Sequence, residues 1–154
     1  MRKRISVVAV ATAAVLSLGL LAAGASADRT QHSQHVRLLA VGGSPLKGGF
    51  VENIHANGPR VFAHELYVLR GAEPNTTYQV TINLFPFDPT CAGAPVLIPT
   101  ATLTTNGVGN GVARHTFAPS DVPPAIRNAT HGGYWTITSA TSSYRTACGT
   151  VTLD

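Results

Sequence analysis

The chain has 154 residues, of which 44% are hydrophobic and only 12% charged, and its formal net charge is +4. Three of the eleven basic residues fall within the first four positions, so residues 28–154 carry eight basic and seven acidic side chains. This near balance excludes the strongly basic surface typical of proteins that bind nucleic acids or anionic membranes.

Residues 1–27 have the pattern of a signal peptide. Arg2, Lys3 and Arg4 precede a long apolar run, and residues 25–27 (Ala-Ser-Ala) are the small residues that a signal peptidase requires. An uncleaved anchor is the alternative, because the apolar run is almost long enough to span a bilayer. The pattern predicts a secreted, extracellular protein without membrane attachment after cleavage.

The sequence after the signal peptide predicts a polar N-terminal segment followed by short strands. Residues 28–35 are polar, and we expect a flexible N-terminus there. Runs rich in β-branched residues and bounded by Gly, Pro or Asn predict strands. These runs lie at 35–41, 49–55, 60–70, 76–84, 99–105 and 112–117.

Turns and loops punctuate the second half. Residues 85–99 contain four prolines, which a central strand does not tolerate, and are predicted to form a long loop. The sequence NGVGNG at 106–111 predicts a hairpin turn. After a second long loop at 118–131, two last strands are predicted at 132–140 and 144–153.

Eight short strands without a helical crossover predict an all-β domain over residues 36–154. The expected architecture is an antiparallel Greek-key β-sandwich of the immunoglobulin-like type, with seven to eight strands. The predicted core residues are Phe62, Leu66, Val68, Tyr78, Val80, Ile82, Leu103, Phe117, Trp135, Ile137 and Val151.

The two cysteines, Cys91 and Cys148, are predicted to form an intramolecular disulfide. A secreted chain with two cysteines most simply pairs them. The alternatives are a reactive pair of free thiols and a bridge between two chains.

The stretch LRGAEPNTTYQVTI at residues 69–82 resembles the corner of fibronectin type III and immunoglobulin-like domains. In those domains the hydroxyl of a buried tyrosine bonds to the backbone a few residues upstream. The resemblance implies this structural role for Tyr78. It implies a fold and no activity.

Two looser resemblances point to other functions. Residues 71–117 are similar to secreted chromoprotein carriers of the neocarzinostatin type, which hold an apolar antibiotic in an open cleft but have two disulfides. The sequence ACGTV at 147–151 is similar to the C-terminal strand of copper/zinc superoxide dismutases, but this chain has no His-x-His pair. In size and composition the chain also resembles small secreted bacterial proteins of unassigned role.

Six histidines are candidate metal ligands: His32, His35, His55, His64, His115 and His131. A zinc or copper site needs three or four converging ligands, and the spacing of these six fits no known motif. We expect His64 to share a face with Leu66 and Val68. No metal site is predicted, although convergence of His55, His64 and His115 on adjacent strands stays open.

Acid–base catalysis needs paired carboxylates, or a histidine beside a carboxylate. Glu52 and Glu65 are candidate neighbours across two strands, and we expect them to be solvated or hydrogen-bonded. The chain lacks the Gly-x-Ser-x-Gly nucleophile elbow. No catalytic residue and no cofactor are predicted.

Phe85 and Phe87 lie in the proline-rich loop and are the hardest aromatic residues to place in a core. They are therefore the predicted contact patch for an extracellular ligand or protein partner. We expect a secreted, non-catalytic β-sandwich with a binding or structural role. The alternatives are a small-ligand carrier of the chromoprotein type and a metal-binding protein on a superoxide-dismutase-like scaffold.

Overall fold

The chain folds into antiparallel strands. A computed structural model describes residues 32–55, 63–127 and 129–152. These residues form nine strands: β1 (His32–Val41), β2 (Gly48–His55), β3 (Ala63–Arg70), β4 (Thr77–Phe85), β5 (Val96–Thr104), β6 (Gly111–Phe117), β7 (Thr130–Thr138), β8 (Ser143–Thr146) and β9 (Gly149–Thr152). Two 3₁₀ turns, Pro119–Asp121 and Pro124–Ile126, precede β7. The predicted all-β class is confirmed.

The strands belong to one sheet that curls nearly into a barrel. They pair in the order β5-β4-β7-β8-β1-β2-β3-β6, and β9 pairs with the first half of β7. The end strands β5 and β6 approach each other, although no strand pairing joins them in the described residues, which leaves a seam. The predicted Greek-key sandwich is not confirmed, because one continuous sheet surrounds the core.

The core fills the inside of this curled sheet. Eight of the predicted core residues are buried there: Tyr78, Val80, Ile82, Leu103, Phe117, Trp135, Ile137 and Val151. Leu38, Tyr67 and Tyr144, contributed by β1, β3 and β8, are also fully buried. Phe62 lies outside the described residues.

Strand β3 presents the face opposite to the predicted one. Ala63, Glu65, Tyr67 and Leu69 are buried on the inner side, whereas Leu66 is half-buried and His64 is exposed on the outer side. Val68 is buried, but outside the core cluster. The prediction was wrong because both faces of this strand are apolar, so alternation did not identify the inner one.

A β-bulge in β5 directs a hydroxyl group inward. The register between β4 and β5 shifts by one residue after Val80, which makes Thr100 an extra residue. Pro99 has no N–H to donate to the ladder, and proline in a sheet is found at edges and bulges. The Thr100 hydroxyl reaches Tyr67 Oη at 2.8 Å. Strand β5 also begins at Val96, three residues earlier than predicted.

The predicted strand 144–153 is divided into β8 and β9. Their registers with β7 differ by one residue, so a bulge lies at positions 147–148. At this break the Thr146 hydroxyl accepts a hydrogen bond from the backbone N–H of Trp135, at 3.0 Å. A side chain thus replaces a backbone acceptor of the ladder.

The N-terminal prediction needs a correction at its boundary. Strand β1 begins at His32 and pairs with β2, so residues 32–35 of the expected flexible segment are part of the sheet. The strand is long because its two halves have different partners: residues 32–37 pair with β2, and residues 38–41 pair with β8. Residues 1–31, with the predicted signal peptide, lie outside the described residues.

The predicted disulfide between Cys91 and Cys148 is confirmed. It joins the bulge between β8 and β9 to the loop before β5. Asp88 organises that loop, because its carboxylate accepts hydrogen bonds from the backbone N–H groups of Thr90, Ala92 and Gly93. The loop lies directly on β7, where a Cβ atom at Gly132 would come within 2.2 Å of the Asp88 carbonyl oxygen.

Replacing both cysteines by serine is expected to lower the free energy of unfolding by about 4 kcal/mol, because the bridge constrains the unfolded chain. The bonded residues are 57 positions apart. Denaturant titration with and without reductant measures the loss. Reductant should destabilise the parent and leave the Cys91→Ser/Cys148→Ser variant unchanged; an equal response of both proteins would contradict the prediction.

Candidate functional site

A short polar row crosses the inner wall of the barrel. Asn53 on β2 is the register partner of Glu65 on β3, and Glu65 is the register partner of His115 on β6. Directly opposed residues of adjacent strands share a face, so these three side chains belong to the same inner level. Asn53 and Glu65 are each 3% exposed, and His115 is half-buried.

The Glu65 carboxyl group is held by two donors. Trp135 Nε1 donates to Oε1 at 3.0 Å, and the Tyr67 hydroxyl donates to Oε2 in a short hydrogen bond. No Lys or Arg side chain of the described residues pairs with it. Glu65 is therefore a buried acid that is hydrogen-bonded but has no counter-ion.

Burial decides the protonation of this group. Desolvation raises the pKa of Glu65 from 4.5 to about 7, although the hydrogen bonds from Tyr67 and Trp135 act in the opposite direction. Burial and the neighbouring Glu65 charge raise the pKa of Tyr67 well above its ordinary value. Tyr67 therefore keeps its proton at any physiological pH, and Glu65 exchanges its proton near neutrality.

Glu65 faces a cavity of about 70 Å³. Its wall is mostly apolar and includes Ala63, Ile82, Leu84, Ile98, Phe117, Trp135 and Val151. Asn53 also lines it, and its Oδ1 is a buried oxygen without a hydrogen-bond partner, the one such side-chain atom among the described residues. A buried acceptor left unpaired is costly, so a donor brought to this oxygen would stabilise the protein.

The segment 118–127 closes one end of the cavity, with Val122 and Ile126 packed on the core. Arg127 Nε donates to the Val122 carbonyl oxygen at 2.9 Å, and Arg127 Nη2 donates to the carbonyl oxygen of Pro119. His131 Nε2 lies 2.7 Å from the Ile126 carbonyl oxygen. These bonds hold the segment against the core, where it forms one wall of the cavity.

His131 is a structural residue and the most buried of the histidines whose side chains are described. Its Nδ1 accepts a hydrogen bond from the Phe87 backbone N–H at 3.0 Å, so its Nε2 carries the proton and donates to Ile126. Both ring nitrogens are thus occupied. The residue connects β7 to the two loops on either side of it.

The other histidines with described side chains, His35, His64 and His115, do not converge. His35 packs against Phe50, His64 Nδ1 lies 3.1 Å from Thr116 Oγ1 on the outer face, and His115 contacts Phe117. The side chains of His32 and His55 lie outside the described residues. Within residues 32–55, 63–127 and 129–152, no group of three His, Cys, Asp or Glu side chains is placed to hold a metal ion.

The two residues of the predicted aromatic patch lie in different environments. Phe87 is 63% exposed, with its ring 5.2 Å from that of His131. Phe85 is buried at 3% and packs against Tyr134, so it cannot contribute to a contact surface. It is the last residue of β4 rather than part of the loop.

Tyr78 is buried as predicted, but its bonds differ from those of a tyrosine corner. Its hydroxyl lies 3.0 Å from Ser142 Oγ and 3.3 Å from Tyr144 Oη, instead of bonding to upstream backbone. Tyr144 in turn donates to the Pro45 carbonyl oxygen at 2.9 Å. Tyr78 therefore ties β4 to the turn before β8.

Two spacings in the sequence have structural explanations. Glu52 and Glu65 are not neighbours on one face, because Glu65 pairs with Asn53 and Glu52 belongs to the outer face of β2. Ser44 and Lys47 have a Ser-x-x-Lys spacing, which corrects the expectation that no such motif is present. The Ser44 hydroxyl donates to Val41 and accepts from the Ser143 N–H, so it is committed to the turn.

Sequence reasoning does not find this site, because both faces of β3 are apolar and Glu65 is expected only to be solvated or hydrogen-bonded. One signal is present in the sequence. Ala63, Glu65, Tyr67 and Leu69 alternate along β3 and form a face that is apolar except for Glu65, so this face could have been recognised as the buried one. Trp135, which bonds to Glu65, and Thr100, which bonds to Tyr67, are distant from β3 in sequence. Only the order of the strands in the curled sheet brings them close.

No protein-family description, curated protein or solved structure matches this chain. Among the described residues, none of the helical segments has the length and apolar character needed to cross a bilayer.

The Glu65→Gln variant is expected to change how stability depends on pH. The native pKa of Glu65 is about 7 against 4.5 for the exposed group, so the folded protein binds this proton more tightly than the unfolded chain. The free energy of unfolding is therefore highest below pH 4.5 and decreases as the pH rises through 7. Above that pH it is lower by on the order of 3 kcal/mol.

Glutamine resembles the protonated acid and should remove this loss, so Glu65→Gln is expected to exceed the parent in stability at pH 8 and to match it near pH 4.5. Chemical denaturation across this range gives both curves. Glu52→Gln, on the outer face of β2, is the matched control and should follow the parent. Parallel curves for the parent and Glu65→Gln would contradict the prediction.

Proposed function

We propose that this protein is a secreted, non-catalytic binding protein that takes a small ligand into its barrel. The observation that carries the proposal is the apolar cavity with Glu65 and the unpaired Asn53 oxygen in its wall. Small-molecule sites are typically concave and apolar, with a few polar groups that orient the ligand.

The energetics of Glu65 support a functional rather than a structural role. A buried acid without a counter-ion destabilises the fold whenever it is ionised, and an apolar side chain of similar size would avoid that loss. Strongly shifted acids in a cavity are candidates for binding or catalytic groups. The rest of the cavity wall is apolar apart from Asp121, which is exposed, so Glu65 and Asn53 are the buried polar groups offered to a ligand.

Secretion is supported by two features that are independent of the cavity. Residues 1–27 have the signal-peptide pattern, and Cys91 is bonded to Cys148, as is usual in oxidising compartments. The immunoglobulin-like and chromoprotein-carrier resemblances stay predictions, and the proposal does not depend on them. The cavity also differs from the open cleft of those carriers, because its volume is only about 70 Å³.

Acid–base catalysis is a second candidate function, favoured by one observation. Glu65 titrates near neutral pH, where a general acid or base is most effective. A catalytic site would convert its ligand, whereas a binding site releases it unchanged. Incubating any identified ligand with the protein and analysing it by mass spectrometry separates the two functions.

Small molecules of three to five heavy atoms are expected to bind in the cavity. Its volume is about half that of an engineered cavity that accommodates benzene. Trp135 is the chain's one tryptophan and lines the cavity, so its indole N–H signal in NMR reports occupancy directly.

Ala63→Leu should abolish this response, because the larger side chain fills the cavity from β3. Ala140→Leu, in the exposed turn between β7 and β8, adds the same atoms away from the site and should keep the response. If no compound in a set of neutral, cationic and anionic fragments shifts the Trp135 signal, or if Ala63→Leu responds like the parent, the proposal is wrong.

A further inference from the structure

The groups of the cavity wall that can still take a hydrogen bond are the Glu65 carboxyl group, which is buried without a counter-ion, and the Asn53 carboxamide. Trp135 Nε1–H is used in its bond to Glu65, and the Tyr67 hydroxyl has Glu65 and Thr100 as its two neighbours. Each Glu65 oxygen accepts one bond in the described structure and can accept another. Among the described residues the Asn53 carboxamide makes no hydrogen bond, so it offers Oδ1 as an acceptor and Nδ2 as a donor.

From this inventory we propose that the ligand is a small primary amine, bound as an ammonium ion between Glu65 and Asn53 with its hydrocarbon part in the apolar cavity. The inference rests on the proposed function and names its ligand class. Glu65 and Asn53 are directly opposed on adjacent strands, so one ammonium group can reach oxygens of both.

Charge and donor count distinguish an amine from its alternatives. An ammonium ion has three N–H donors and supplies the counter-ion that Glu65 lacks. An alcohol has one donor, so it can bond to Glu65 or to Asn53 Oδ1 but not to both. A carboxylate has no donor and places a second negative charge beside Glu65, which is strongly unfavourable in a low-dielectric interior.

The hydroxyl groups behind Glu65 accommodate both of its protonation states. Tyr67 Oη, Thr100 Oγ1 and the Val80 carbonyl oxygen lie in succession, with separations of 2.8 and 3.4 Å. When Glu65 is protonated it can donate to Tyr67, which donates to Thr100, which donates to Val80. When an ammonium ion binds, Glu65 releases its proton to solvent, and Tyr67 and Thr100 turn their donors toward it.

Binding of the amine is therefore coupled to release of one proton at pH values below 7. The other titratable groups at this level are Tyr67 on β3, His115 on β6 and Asp121 in the segment 118–127. The carboxylate of Asp121 accepts from the Ala118 N–H at 2.8 Å and from Ser120. Asp121 is exposed and Tyr67 stays neutral, which leaves His115 as the competing explanation for any pH dependence.

The test compares n-propylamine, propan-1-ol and propionate, which have similar hydrocarbon parts and different head groups. Each is titrated into the disulfide-bonded protein at pH 8, with the Trp135 indole N–H signal as the readout. We expect the amine to bind at least tenfold more tightly than the alcohol and propionate not to bind. Glu65→Gln should lose this tenfold preference while still binding the alcohol, and Glu52→Gln should keep it.

The pH dependence provides a second measurement that needs no variant. With a Glu65 pKa near 7, the apparent affinity for n-propylamine should weaken about fivefold from pH 7 to 6 and about tenfold from pH 6 to 5. Calorimetry at pH 6 in buffers of different ionisation enthalpy should show release of about one proton. Binding of propan-1-ol should change little over the same range.

The outcomes separate this inference from the function on which it rests. If none of the three compounds binds, both are wrong. If the alcohol binds as tightly as the amine, or if propionate binds best, the cavity is a ligand site but not an amine site. Loss of the pH dependence in His115→Asn, together with its persistence in Glu65→Gln, would also overturn the inference.

Discussion

The interior of the barrel is organised by the hydrogen bonds that Glu65 accepts. Trp135 belongs to β7, which three strands separate from β3 in the sheet order, and Thr100 reaches the same network from β5 through Tyr67. These contacts exist only when the sheet is curled, because a flat sheet would leave β3, β5 and β7 far apart. The acid thus costs stability when ionised, yet its partners connect three walls of the core.

The secondary structure could be predicted well where one face of a strand is polar. Strand β4 has strict alternation, and the predicted positions 76–84 nearly coincide with Thr77–Phe85. The prediction failed where both faces are apolar, as in β3, and where bulges interrupt the pattern, as at Thr100 and at positions 147–148. Curling into a near-barrel depends on such bulges and on strand order, neither of which appears in local periodicity.

The candidate site shows the same division. The disulfide followed from counting cysteines, since two of them in a chain with a signal-peptide pattern leave few alternatives. The cavity could not be predicted in this way, because its polar residues are far apart in sequence. Glu65 also lies on β3, whose inner face was predicted to be its outer face. Histidines were candidate metal ligands, but both ring nitrogens of the buried His131 are hydrogen-bonded to the backbone of two loops. The acid with no counter-ion was the informative residue.

The seam between β5 and β6 has a consequence for how the protein behaves at high concentration. Unpaired sheet edges are templates on which another chain can add a strand, and this route leads to amyloid. Here each edge faces the other, and Pro99 removes one donor from β5, so near-closure shields most of the template. Val96 and Leu97, at the start of β5, are 50% and 61% exposed. We therefore expect aggregation at high concentration to begin at this short apolar stretch of the edge.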